Sequence, residues 1–245
     1  MIIFYSLLSL LTGAFLNLAA DELPQRRPLG PPRCPYCGQN HLPPEWISVL
    51  SFLLLRGRCQ HCRAPLSLRR PLLELGTMLA FAFLWQQYGP TPLLLLLTLY
   101  ISILLLVLVI DLEHRLILNV VILPAILVAA IGSSLSPDLG PLRALAGGII
   151  GFASFYLIAL MRKGGMGGGD VKLAAFIGLV TGFPSVIVAL LIAILAGGVT
   201  ALLLVLTRIK GLKSYIPYGP FLVVGGVVAL IYGPQIVAWY LRFYH

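Results

Sequence analysis

Of the chain's 245 residues, 59% are hydrophobic and only 10% are charged, against roughly 25% charged in an average soluble domain. So few polar groups cannot cover a soluble protein of this size, and lipid has to be the solvent for much of its surface. The net charge of +9 does not point to nucleic acid, because the basic residues form no single stripe and sit in short segments between apolar runs.

The first twenty residues carry no charge. A secretory signal would begin with a basic region, so this segment reads as a retained helix with its N-terminus outside, although Leu18-Ala19-Ala20 loosely resembles a cleavage site. Residues 21–71 form the one sizeable polar insertion, rich in Pro and Arg, too small for a large core. All four cysteines fall in it, as Cys34-Pro-Tyr-Cys37 and Cys59-Gln-His-Cys62. Two such knuckles can place four thiolates tetrahedrally around one structural Zn²⁺, with no position left open for chemistry. A redox dithiol pair and incidental thiols are the alternatives. The charge distribution puts the insertion in the cytosol, where disulfides are disfavoured.

A helix needs about 20 apolar residues to cross the roughly 30 Å hydrocarbon core. Eight segments qualify as candidates: 1–20, 72–88, 92–110, 117–133, 141–161, 171–183, 185–207 and 219–241. The expected fold is therefore an all-α polytopic membrane protein of about eight transmembrane helices. Its parts are a first helix at 1–20, a four-cysteine, zinc-ribbon-like insertion at 21–71 and a membrane domain at 72–245. With the N-terminus outside, fifteen of the 17 Lys and Arg fall on the cytoplasmic side and only Arg143 and Arg242 outside, the asymmetry of the positive-inside rule. The sixth segment is the shortest. Counting it as non-crossing would weaken that split to 13 against 4. It is read as a short crossing with a recessed cytoplasmic end, tolerable where protein shields it or it lines a wet cavity. Gly pairs inside the helices (Gly147-Gly148 with Gly151, Gly197-Gly198, Gly225-Gly226) read as close helix packing.

Only eight residues are acidic. Asp111 follows a long apolar run and is expected to cap the third membrane helix. Asp170 closes the glycine-rich stretch and opens the sixth. An ionisable residue at such depth is costly and marks a functional candidate. Two carboxylates held close in a poorly hydrated site cannot both ionise, so one keeps a proton. The ionised member can then activate a water against a peptide carbonyl while the other polarises that carbonyl. The glycines Gly167, Gly168 and Gly169 would let an extended substrate backbone approach, since no Cβ is in the way. Other readings of the same residues stay open. Asp170 could satisfy free N–H groups at a helix start, Asp111 could pair with Arg115, or both could line a cation or proton path. Glu74 reads as an interfacial anchor, Glu113 and His114 as surface residues.

Gly167-Gly168-Gly169-Asp170-Val171-Lys172-Leu173 matches a G-x-G-D-x-K-L signature, and Ile110-Asp111-Leu112-Glu113-His114-Arg115 looks like its partner segment. With the Cys-x-x-C pairs, Gly13-Ala14-Phe15-Leu16-Asn17 and Ile216-Pro217-Tyr218-Gly219-Pro220-Phe221, the chain resembles the bacterial prepilin peptidases, which are GxGD-type aspartyl proteases. Leu118, Trp46-Ile47-Ser48 and Glu74-Leu75-Gly76-Thr77 depart from the family pattern. The resemblance implies cleavage of the leader of type 4 prepilins or type II secretion pseudopilins at the cytoplasmic face of the bacterial inner membrane. It implies Asp111 and Asp170 as the catalytic pair, with Gly167, Gly168, Gly169 and Lys172 at the substrate. It also implies Cys34, Cys37, Cys59 and Cys62 as zinc ligands, and in many members N-methylation with S-adenosylmethionine. Two competing classes are a transporter using Asp111 and Asp170 and a membrane thiol oxidoreductase using the cysteines. The first would need further polar residues along the spans, and the second would need cysteines on the oxidising side.

Overall fold

The computed structural model describes residues 2–40, 43–136, 139–161, 167–207 and 217–243. Several residues of the sequence argument lie outside these: Pro137, Asp138, Gly164, Gly165, Met166, Ile216, and the basic residues Arg162, Lys163, Arg208, Lys210 and Lys213. The described residues are all-helical, with no β-sheet and only the isolated bridges Arg33–Asn40 and Arg58–Pro65. The helices are α1 (Ile2–Glu22), α2 (Ser48–Leu55), α3 (Arg69–Tyr88), α4 (Pro92–His114), α5 (Asn119–Ser133), α6 (Pro141–Met161), α7 (Gly168–Thr181), α8 (Ser185–Leu206) and α9 (Gly219–Arg242). Each of the eight expected segments is a helix, with ends displaced by a few residues. Among them α4, α6, α8 and α9 are long and apolar enough to cross a membrane. Their outward faces carry exposed Leu95, Leu145, Leu195 and Trp239 among many others. Such faces are stable only against hydrocarbon.

The chain divides into two compact units, Met1–Leu106 and Val107–His245, the division falling within α4. In the first, α1 packs along α3, and α2 packs on α3. Gly13 makes the α1–α3 approach possible, since a Cβ there would stand 2.8 Å from the Glu74 Cα. Tyr5 adds ring contacts to Phe81 and Trp85 at 5.4 and 5.1 Å. At the polar end, Asp21 accepts from Arg69 at 2.6 Å and Arg70 at 2.9 Å, closing α1 onto the start of α3.

In the second unit α7 is the hub, touching α5, α6, α8 and α9. It has 14 residues, about 21 Å at 1.5 Å per residue, short of a bilayer's width. Leu173, Ala174, Phe176 and Ile177 are fully buried, so neighbouring helices shield it along its length, as a short recessed helix requires. The glycine pairs pack as expected. A Cβ on Gly147 would run into the Gly178 carbonyl, and one on Gly225 into the Ala189 carbonyl, so backbones meet directly where α6 crosses α7 and α8 crosses α9.

Candidate active site

Asp111 and Asp170 are each 5% exposed. Asp111 lies one turn inside α4 rather than at its end. The helix runs on to His114 and stops at Arg115, whose φ of 55° is left-handed and whose N–H bonds the Asp111 carbonyl at 2.9 Å. No ion pair joins Asp111 to Arg115 among the described residues, and Arg115, Glu113 and His114 are all exposed. Asp170 is the third residue of α7, behind Gly167 in extended conformation at the N-cap. The Gly167 N–H faces its carboxylate, as the third residue reaches back in a capping box. The helix-start reading of Asp170 is therefore part of its geometry.

The fold brings these two carboxyls, 59 residues apart in sequence, within electrostatic reach of each other. A third segment of chain completes the site. The Gly219 N–H, at the start of α9, lies against the Asp111 carboxyl, and a Cβ on Gly219 would collide with that group. Tyr218 is within the field of Asp170 and is wedged between Phe155 and Phe221, with ring centroids 5.6 and 5.9 Å apart. Asp111 Oδ2 is buried with no hydrogen-bond partner among the described residues, and a buried polar atom left so calls for an explanation. In this unit Asp111 and Asp170 are the only buried ionisable groups among the described residues, accompanied by Ser133, Thr181 and Ser185. Ser133 and Thr181 bond carbonyls of their own helices. Among the described residues of this unit no further buried ionisable group leads away from the pair, and the transporter alternative has no support.

Gly167 and Gly168 are exposed beside the acid pair, and nothing stands within 4 Å of where a Gly168 Cβ would be. Gly169 instead packs under Ile117, 2.8 Å from its Cβ to a built Cβ. Lys172 Nζ donates to Asn119 Oδ1 at 2.7 Å, tying α7 to the start of α5. The segment Pro217-Tyr218-Gly219 carried no role in the residue-level reading. Its signal was there, a Pro-Tyr-Gly-Pro run at a helix start, but nothing local says which carboxylate it will meet.

The cysteine cluster sits in the first unit. Its four Sγ atoms lie within 4.8 Å of one another, with Cys34 and Cys62 at 3.8 Å. Thiolates bound tetrahedrally at a Zn–S distance of about 2.3 Å would stand about 3.8 Å apart. The two knuckles fold alike. Cys34 N–H bonds Gln39 and Gly38 N–H bonds Cys34, while Cys59 N–H bonds Ala64 and Arg63 N–H bonds Cys59, all near 2.9 Å. Gly38 and Arg63 both adopt positive φ, 70° and 55°. Burial pushes the Cys34 thiol up, but N–H groups of Cys37 and Tyr36 and the thiols of Cys59 and Cys37 bring it down to about 7. The Ala64 N–H favours the Cys62 thiolate, yet burial and the other three thiols push it up to about 11. One thiol thus ionises readily and another resists, because four crowded thiols titrate as a group. The donor set fits a divalent metal.

Glu74, read from sequence as an interfacial anchor, is fully buried. Its oxygens accept from the Ser48 and Val49 N–H groups, both at 2.8 Å, and from Asn17 Nδ2 at 3.3 Å. It caps α2, whose own N-cap Ile47 offers no side-chain bond.

The fold and site thus define a helical membrane protein with a buried acid pair between two helix starts. Residues 98–202 match the profile of the type IV leader peptidase family and residues 7–88 that of the bacterial peptidase A24 N-terminal domain. A prepilin leader peptidase/N-methyltransferase of Pseudomonas aeruginosa is 33% identical, covering 97% of this chain and 92% of its own length. Proteins of the same name from Bacillus subtilis (31%, 95% and 95%) and Aeromonas hydrophila (32%, 96% and 92%) are similar to it as well. The chain belongs to the type IV leader peptidase family. No solved structure gives a significant match.

Proposed function

We propose that this chain is a membrane aspartyl endopeptidase that removes the leader of type 4 prepilins or type II secretion pseudopilins at the cytoplasmic face of the bacterial inner membrane. In this reading eight helices, all except α2, cross with the N-terminus outside, α7 as a short recessed crossing, and residues 21–71 lie in the cytosol. The observation that carries it is the unpartnered, buried Asp111 Oδ2 beside Asp170, next to a stretch of exposed glycine. One carboxyl holds a proton while its ionised partner takes a proton from water, which attacks the scissile carbonyl. The protonated carboxyl polarises that carbonyl and then serves the leaving amine. The N-terminal ends of α7 and α9 both point at the pair, and their dipoles favour the negative charge it must carry. Gly167 and Gly168 take the extended leader, Gly169 being covered by Ile117 rather than open to it as the sequence suggested, and Lys172, held by Asn119, frames the rim.

Incubating the full chain with a prepilin and labelled S-adenosylmethionine tests the reading, with cleavage and methylation scored separately. Unchanged prepilin would sink it. Methyl incorporation is the expected second activity, as the names of the relatives suggest. The described residues form no glycine-rich strand-to-helix turn suited to the methyl donor, and the cleavage chemistry runs without it.

Gly219→Ala places a methyl group in the space of the Asp111 carboxyl. A displacement on the order of 1 Å costs about 10²-fold, so kcat for leader cleavage should fall by about that factor with KM little changed. Cys34, Cys37, Cys59 and Cys62 would hold zinc, which supplies cross-linking alone since four thiolates fill its shell. Chelation or Cys34→Ser should release one zinc per chain and melt the insertion, read by loss of amide protection at Cys34 and Cys59. Cleavage in detergent should fall less than about 3-fold, because the described groups of the acid site, Asp111, Gly167, Asp170, Tyr218 and Gly219, all belong to the second unit. A full loss of cleavage with the membrane helices still folded would give the metal a larger role.

A further inference from the structure

Helix α2 is inside out for a helix in water. Its Ser51 is 5% exposed, while Leu50, Leu53 and Leu54, at i, i+3 and i+4, are 47%, 73% and 76% exposed. A helix on a soluble domain buries such a leucine stripe and turns its serines outward. The inversion is fixed by bonding, because Glu74 holds the Ser48 and Val49 amides toward α3.

We propose that α2 lies in the membrane interface, with Leu50, Leu53 and Leu54 among the acyl chains and Arg56 and Arg58 on anionic lipid headgroups. The inference rests on the reading of residues 21–71 as a cytoplasmic-face insertion of a membrane protein. Depth is the first support. Glu74 stands five residues from Arg69 along α3, about 7.5 Å at 1.5 Å per residue. With Arg69 and Arg70 at the headgroups, α2 starts at the level where interfacial helices bury their apolar side, roughly 5–10 Å below the surface. Continuity is the second: on α3 itself Leu72 and Leu79 are 64% and 66% exposed, so α2 rests on a helix whose outward side is already apolar. Charge is the third. Arg56 ends α2, Arg58 follows, and both are exposed, matching the anionic surface that draws basic residues beside a membrane. The second cysteine knuckle begins at Cys59, so α2 would hold the metal cluster against the bilayer.

The test uses full-length protein in phosphatidylglycerol-containing vesicles, with the photoreactive residue p-benzoylphenylalanine placed at Leu53, at Leu54, or at Arg63 in the knuckle. Irradiation should give phospholipid adducts from positions 53 and 54 at 10-fold or more the yield from position 63. Adducts to an added prepilin or to a second copy of the chain, or equal lipid yields at all three positions, would overturn the proposal. Zinc content reports whether each variant is folded. As a second arm, Leu53→Glu with Leu54→Glu should slow cleavage of vesicle-embedded prepilin about 10-fold and cleavage in detergent less than 2-fold. Equal loss in both would also overturn it. Failure of the peptidase reading would show separately, as absence of cleavage by the unaltered chain alongside intact lipid adducts.

Discussion

Asp111→Asn and Asp170→Asn should each cut leader cleavage by at least about 10³-fold, the scale on which general acid–base groups act, and neither should unfold the protein. Both side chains are buried beside one another, so each ionised carboxylate adds desolvation and repulsion to the folded state. Asn keeps the shape and removes the charge. The thermal midpoint of the full chain in detergent should therefore stay level or rise, the usual signature of a site that trades stability for function. The double variant should be no worse than the single ones, because groups that act as a unit do not lose activity additively. The measurement is conversion of prepilin to its processed form, followed over enough time to see 0.1% of the unaltered rate, beside a melting curve. A variant retaining about a tenth of the rate would remove that residue from the chemistry. A pair of variants that melt early would instead make the carboxylates structural, partners for the α7 and α9 helix starts. With both carboxyls intact, cleavage should show a bell-shaped pH dependence whose limbs belong to the pair rather than to either residue.

What could be read from sequence divides along the range of the interactions concerned. Helix positions were legible because hydrocarbon imposes a length and a composition locally, and α6 runs between the expected ends, residues 141 and 161. The cysteine knuckles were legible because both ligands of a pair sit within one turn of chain. Asp111 was legible as a candidate but misplaced by a turn, since α4 stays helical through polar Asp111, Glu113 and His114, where falling hydropathy suggested an end. Gly219 and Tyr218 were not legible as site residues. Their role depends on α9 starting beside α4, and the residues just before them, 208–216, lie outside the described structure. Helix α2 went unseen because eight residues of Ser, Val, Leu and Phe are too few to span a membrane, and its partner in the fold, Glu74, is 26 residues downstream of Ser48.

Glu74→Ala is the substitution expected to cost most in stability, about 3 kcal/mol, the range for removing one partner from a buried charged network. The carboxylate is fully buried and is offset by three donors from two other segments: the amides of Ser48 and Val49 and the Asn17 side chain. Removing it strands the Ser48 and Val49 amides in a buried site, where α2 has no cap of its own to replace it, and leaves Asn17 Nδ2 with only its 2.9 Å bond to the Arg70 carbonyl. Gln at this position keeps one carbonyl acceptor and the packing against Gly13, so Glu74→Gln should lose about half as much. The local readout is hydrogen exchange: the Ser48 and Val49 amides should lose protection in Glu74→Ala while those of α7 do not change. Asn17→Ala should weaken α1's hold on the same group, and its effect should be much smaller in a Glu74→Ala background, since the two share one bond. If the two substitutions were instead additive, the carboxylate would not be the joint between α1, α2 and α3. Asp21 with Arg69 and Arg70, and Asn17 with the Arg70 carbonyl, would then join α1 to α3 by themselves, and α2 would be held by its packing on α3.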